Sequence, residues 1–179
     1  PTGVAHGTVT AVIGGKPFEI TTLRRDIETD GRHAKVAFTD DWTADAARRD
    51  FTINAIAWDP LHDEYLDPCD GRADLERRLL RVVDPETFGD DSLRVLRALQ
   101  FAARFELRVD DATKQICRAT APDDLPAERI WGEMEKLLLQ AERPSPGFEL
   151  ALELGVVDQL FPELKALVGC EQEPEWHPE

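Results

Sequence analysis

The stretch Asp90-Asp91-Ser92-Leu93-Arg94-Val95-Leu96-Arg97-Ala98-Leu99-Gln100-Phe101-Ala102-Ala103-Arg104-Phe105 divides a chain of 179 residues into two kinds of sequence. Leu93, Leu96 and Leu99, with Ala103, recur at helical spacing, and acidic residues stand at the start, so the pattern predicts a helix over 90–105. Downstream, helical patterns continue over 110–119, 127–141 and 147–154, broken by Pro122, Pro126, Pro144 and Pro146. Ile130, Met134, Leu137 and Leu138 form one buried stripe. Upstream the period changes. Residues 8–13 and 18–23 are β-rich runs separated by Gly14-Gly15-Lys16-Pro17, a hairpin signal. Residues 26–33 are polar, contain Asp30-Gly31 and read as a loop. A short helix is expected over 44–49 with Thr43 as its N-cap, and 54–58 reads as a buried strand or a helical turn. Strands first and helices after imply an α+β fold or two domains.

Composition narrows the function classes. The apolar fraction of 42% is too high for a disordered chain. No apolar run approaches the roughly 20 residues that cross a bilayer, so a membrane protein is not expected. The net charge of −15 excludes a generally basic nucleic-acid coat. The acidity is uneven: residues 121–179 carry 4 basic and 14 acidic side chains, against 11 and 15 in residues 1–83. A polyanion would therefore be met by the arginines of the first two-thirds. Cys69, Cys117 and Cys170 are odd in number and lack zinc spacing, which points away from a disulfide framework and toward a reducing cytoplasm. The chain opens on Pro1 and its only methionine is Met134, so a segment removed upstream is expected.

Three constellations could carry chemistry. Asp91, Arg94 and Arg97 stand three apart, a spacing that lines adjacent turns of one helix flank. One reading is an ion pair on a solvated face. The other is base recognition: an acid accepts and a guanidinium donates, matching the edges of cytosine and adenine and mismatching those of guanine and uracil. Polar groups left unpaired are what give such a site its discrimination. The second constellation is Arg48-Arg49-Asp50-Phe51-Thr52-Ile53-Asn54-Ala55. Its arginines suit triphosphate oxygens, and Asp50 and Asn54 could hold ribose hydroxyls. The alternative is an Arg–Asp ion pair beside a buried apolar run. The third is Glu19, a strand carboxylate that binds Mg²⁺ or simply faces solvent. Gly14-Gly15-Lys16 lacks P-loop spacing and reads as a turn. The four histidines show no ligand spacing, and the four tryptophans are scattered.

These residues resemble the motifs of one family. Residues 48–55 resemble the RRDFTxNA motif of class II tRNA nucleotidyltransferases (CCA-adding enzymes) and bacterial poly(A) polymerases. Asp67-Pro68-Cys69-Asp70-Gly71, with Asp74-Leu75 and Leu80-Arg81, resembles the family's head-to-neck connector. Asp90-Asp91-Ser92-Leu93-Arg94 resembles its EDxxR template motif. The resemblance implies a partial nucleotidyltransferase head over 1–83, a helical, nucleotide-templating and RNA-binding neck over 84–145, and the start of a helical body over 146–179. It implies CTP and ATP as substrates, the tRNA 3′ end as partner and Mg²⁺ as cofactor. Arg49 would contact the incoming nucleotide, and Asp50 and Asn54 would place its sugar and phosphates. Asp91 and Arg94 would read the base, with Arg97 supporting from the next turn. Glu19 would be an auxiliary carboxylate, and residues 24–32 would fall in the flexible loop that switches to A addition.

The sequence departs from the family pattern at three points. The opening GGxxRD loop and DxD pair, which bind the metals, are absent, so the chain alone is expected to be inactive. Asp90 replaces the first Glu of the template motif. Gln100 replaces an expected Arg, removing a charge from the nucleotide site. Residues 169–179 resemble the lead-in to a further C-terminal region. The rival readings are a poly(A) polymerase, against which the acidic charge weighs, and a non-catalytic RNA- or nucleotide-binding paralogue.

Overall fold

The computed structural model describes residues 7–29, 34–122 and 124–171. The chain forms two compact units, one of residues 1–77 and 81–91, the other of 78–80 and 92–179.

The first unit begins with β1 (Thr8–Ile13) and β2 (Lys16–Thr21), antiparallel with Ile13 opposite Lys16. The two-residue turn needs positive φ twice, and Gly14 and Gly15 supply 58° and 79°. Every residue of β2 is exposed. β3 (Arg24–Thr29) pairs with β4 (Ala34–Phe38), with a bulge between Asp26 and Glu28. The loop expected over 26–33 is thus strand as far as Thr29, and residues 30–33 lie outside the described residues. The strand pairing satisfies the backbone of a polar run that carries no alternating pattern.

α1 (Trp42–Ala47) is capped by Asp41, whose carboxylate accepts from the Thr43 N–H at 2.8 Å, so the cap lies two residues before the expected Thr43. A 3-10 turn over Thr52–Asn54 leads into β5 (Ala57–Asp59), which pairs with β6 (Glu64–Leu66). α2 (Gly71–Glu76) follows, its first N–H groups bonded to the Asp67 carboxylate at 2.7 and 2.9 Å. A second 3-10 turn spans Phe88–Asp90. Phe51 and Phe88, both fully buried, meet edge to face at 5.9 Å and form the centre of this unit's core. Phe51 also bridges to Val82.

In the second unit, β7 (Leu79–Leu80) pairs in parallel with β8 (Arg108–Val109). The helices are α3 (Leu93–Arg104), α4 (Asp111–Ala119), α5 (Ala127–Gln140), α6 (Ser145–Glu153), α7 (Val156–Leu160) and α8 (Pro162–Lys165). α3 packs on α5 and α6. Ala103, Met134 and Leu137 form the shared core, flanked by Ile130, Phe148 and Phe161. Gly147 lets α6 close in: a Cβ there would stand 2.6 Å from Leu137 Cδ1 and 3.1 Å from the Leu99 carbonyl. Among the described residues no helix is long and apolar enough to cross a membrane.

Candidate functional site

The 48–55 segment leaves α1 and makes a tight turn whose backbone is tied on both sides. The Thr52 N–H donates to the Arg81 carbonyl at 2.9 Å, and the Val83 N–H donates to the Asp50 carbonyl at 3.1 Å. Thr52 Oγ1 donates to Asp74 Oδ2 at 2.7 Å, and Arg81 Nε donates to the same oxygen at 2.8 Å. Asp74 is 2% exposed, so this buried carboxylate owes its tolerance to that pairing. The connector residues therefore brace the turn that carries Asp50 and Asn54.

Within that turn the Asp50 carboxylate accepts from the Phe51 N–H and from Asn54 Nδ2, each at 2.9 Å. Asp50 is buried and Asn54 half-buried. Arg49 lies alongside. Its Nε and Nη2 donate to Asp45 Oδ2 at 3.2 and 2.9 Å, and its Nη1 donates to the Asn54 carbonyl at 3.1 Å. The guanidinium carbon sits 4.9 Å from the centre of the Trp42 ring. The structure thus brings Arg49, Asp50 and Asn54 together. Asp45 and Trp42 join them from α1, and the sequence reading missed both. The available signal was spacing: Asp45 and Arg49 are an i,i+4 pair.

The structure places Asp91 differently from the sequence reading. It is an extended residue (φ −137°, ψ 100°) between the second 3-10 turn and Ser92, and α3 begins at Leu93. Asp91 therefore precedes the helix instead of lying on its flank, because the burial of Phe88 winds 88–90 into a separate turn. Arg94 and Arg97 are on α3, three apart. Arg97 lies 4.0 Å from the buried Glu133 of α5 and 5.0 Å over the Phe101 ring. Gln100, 1% exposed, accepts from Arg104 Nη1 at 2.9 Å, so a neutral amide occupies the position where an arginine was expected.

Glu19 is exposed on β2 opposite Thr10. The one group of three or more His, Cys, Asp or Glu among the described residues with ligand atoms close together is Asp59, His62 and Glu64, within 4.8 Å at the β5–β6 hairpin. Glu19 is not part of it. The His62 Nδ1 contact at 2.6 Å holds the Asp59 carboxyl below its usual range. Burial pushes the Cys117 thiol up to about 12, and the Cys69 thiol is raised by the same cause, so neither is a ready nucleophile.

Comparison with known proteins matches two family models. Residues 1–81 match the poly A polymerase head domain, and residues 106–167 match the "Probable RNA and SrmB- binding site of polymerase A". The chain is 45% identical over 142 residues to a multifunctional CCA protein of Thioalkalivibrio sulfidiphilus, covering 75% of this chain and 34% of that protein. It superposes on the Bacillus stearothermophilus CCA-adding enzyme in complex with CTP with a TM-score of 0.76 and 34% identity, over 87% of this chain and 38% of that one. A tRNA nucleotidyltransferase complexed with a primer tRNA and an incoming ATP analog gives a TM-score of 0.74 at 26% identity, over 96% and 47%. The chain thus spans about a third of the length of the curated relative and under half of these structures. On the matched head domain, the matched RNA-binding region and this likeness of sequence and fold, the chain belongs to the family of class II tRNA nucleotidyltransferases and bacterial poly(A) polymerases.

Proposed function

We propose that this chain is the nucleotide-recognition and neck portion of a tRNA CCA-adding nucleotidyltransferase, selecting CTP and ATP for addition to the tRNA 3′ end. The head extends over 1–83, the neck over 84–145, and the body begins at 146. Arg49 faces the phosphates of the incoming nucleotide, while Asp50 and Asn54 set its sugar. Asp91 and Arg94 read the base edge, Arg97 supports the nucleotide, and Glu19 is an auxiliary carboxylate. The observation that carries the reading is the tethered Arg49 beside the paired Asp50 and Asn54: a guanidinium with fixed direction next to a preformed turn. The likeness to a multifunctional CCA protein and to a CCA-adding enzyme crystallised with CTP supports it. Mg²⁺ would be held by paired carboxylates that this sequence does not contain, and it would supply charge stabilisation for phosphoryl chemistry. The second reading, poly(A) polymerase, is favoured by the head-domain family's own description and opposed by the net charge of −15.

Titrating the chain with CTP, ATP, UTP and GTP in turn tests this. CTP and ATP are expected to bind about tenfold or more tightly than the other two, a difference of about 1.4 kcal/mol. Asp91→Ala is expected to bring all four within about threefold. Selectivity unchanged by that substitution refutes the base-reading role, and binding of ATP without CTP favours poly(A) synthesis. The 179-residue chain by itself is expected to transfer no labelled CMP or AMP to tRNA lacking its terminal nucleotides.

A further inference from the structure

We propose that Asp45 is a positioning residue for Arg49, holding that guanidinium at the angle at which it meets a nucleotide's phosphates; this rests on the nucleotide-binding reading of Arg49. Asp45 is 5% exposed, whereas the Arg49 side chain is 39% exposed, so the acid lies inside and the base at the surface. The acid is itself anchored, because its Oδ1 accepts from the Arg24 N–H at 2.9 Å, at the start of β3. Its Oδ2 takes both Nε and Nη2 of Arg49. Trp42 supports the face of the guanidinium, and the Asn54 carbonyl takes one Nη1 hydrogen. Of the five N–H groups of an arginine, these bonds use three, leaving one on Nη1 and one on Nη2. Two donors on separate nitrogens suit two phosphate oxygens. An arginine already held loses little further freedom when an anion arrives.

The same contact also opposes anion binding, because the Asp45 carboxylate offsets the Arg49 charge. The two effects predict opposite signs for Asp45→Asn, which keeps the size and the acceptor for the Arg24 N–H. If net charge governs affinity, the substitution tightens CTP binding. If direction governs it, the substitution weakens CTP binding, and we expect a loss of about fivefold by isothermal titration calorimetry. Unchanged or tighter binding overturns the proposal. In an Arg49→Ala background, Asp45→Asn is expected to have no further effect on CTP affinity. A further loss there identifies a general structural role and also overturns it. Arg49→Lys, which keeps the charge and loses the planar fork, covers the case in which Asp45→Asn does not fold. It is expected to weaken CTP about as much, and CTP affinity unchanged in Arg49→Lys refutes the directional role. CTP affinity unchanged in Arg49→Ala is a different result: it removes Arg49 from the nucleotide site and the proposal with it.

Discussion

Gly71 leaves no room for a side chain. A Cβ built there would run into the Thr52 carbonyl oxygen and the Ile56 side chain. Its φ is not positive, so the requirement is close approach and not backbone freedom. Gly71→Ala must push α2 away from the turn that carries Asp50 and Asn54. The expected cost is about 1 to 3 kcal/mol, measured as a lower midpoint in urea unfolding. The residue scale is also where sequence and structure part most clearly. Arg49, Asp50 and Asn54 were legible as neighbours because they are adjacent in one motif. Asp74 and Arg81 belong to another motif, and the convergence of Thr52 Oγ1 and Arg81 Nε on the Asp74 carboxylate depends on a fold that spacing does not encode. Asp91 was placed on a helix because acidic residues favour helix starts, yet the buried Phe88 ends one turn before the next begins.

At the scale of elements, the helices were the readable part. Those expected over 110–119, 127–141 and 147–154 lie within two residues of α4, α5 and α6, since a 3.6 period and proline breaks define them. The β3–β4 pair was not readable: Arg24–Thr29 has no alternation, and its strand character comes from its partner. α4 shows what fixes a helix end. The Asp110 side chain accepts from the Thr113 N–H at 2.9 Å, while its own N–H donates to the Leu80 carbonyl at 3.4 Å. Asp110→Ala keeps the second bond and removes the first. It should lower the stability of the chain by about 1 kcal/mol, seen by chemical denaturation.

At the scale of the whole molecule, 36 acidic against 21 basic side chains set a pI near 4.6, so acidification toward that value relieves net repulsion, while carboxylates paired in the folded state lose their contribution there. Glu153 of α6 is the clearest case. Lys114 Nζ bonds its two oxygens at 3.0 and 2.9 Å and Arg118 Nη2 reaches it at 2.8 Å, which holds its carboxyl below the ordinary value of 4.5. A carboxyl lowered in the folded state stabilises above its unfolded value, and that stabilisation is lost as pH falls through the lower folded value. The groups are substantially exposed, so the effect is small and salt-sensitive. The melting temperature should drop between pH 5 and pH 3, and Lys114→Ala should flatten part of that drop at low salt.

The β7–β8 pair has a practical meaning for anyone who wishes to divide this polypeptide. Residues 78–80 cluster with the helices although they are followed by eleven residues, 81–91, that cluster with the strands. The backbone therefore passes from one partner to the other three times. No single cleavage separates the two cleanly: a cut after residue 77 takes residues 81–91 away from the strands, and a cut after residue 91 deprives Arg108–Val109 of Leu79–Leu80. Independent expression of the helical half would have to supply that short strand in trans or graft it back.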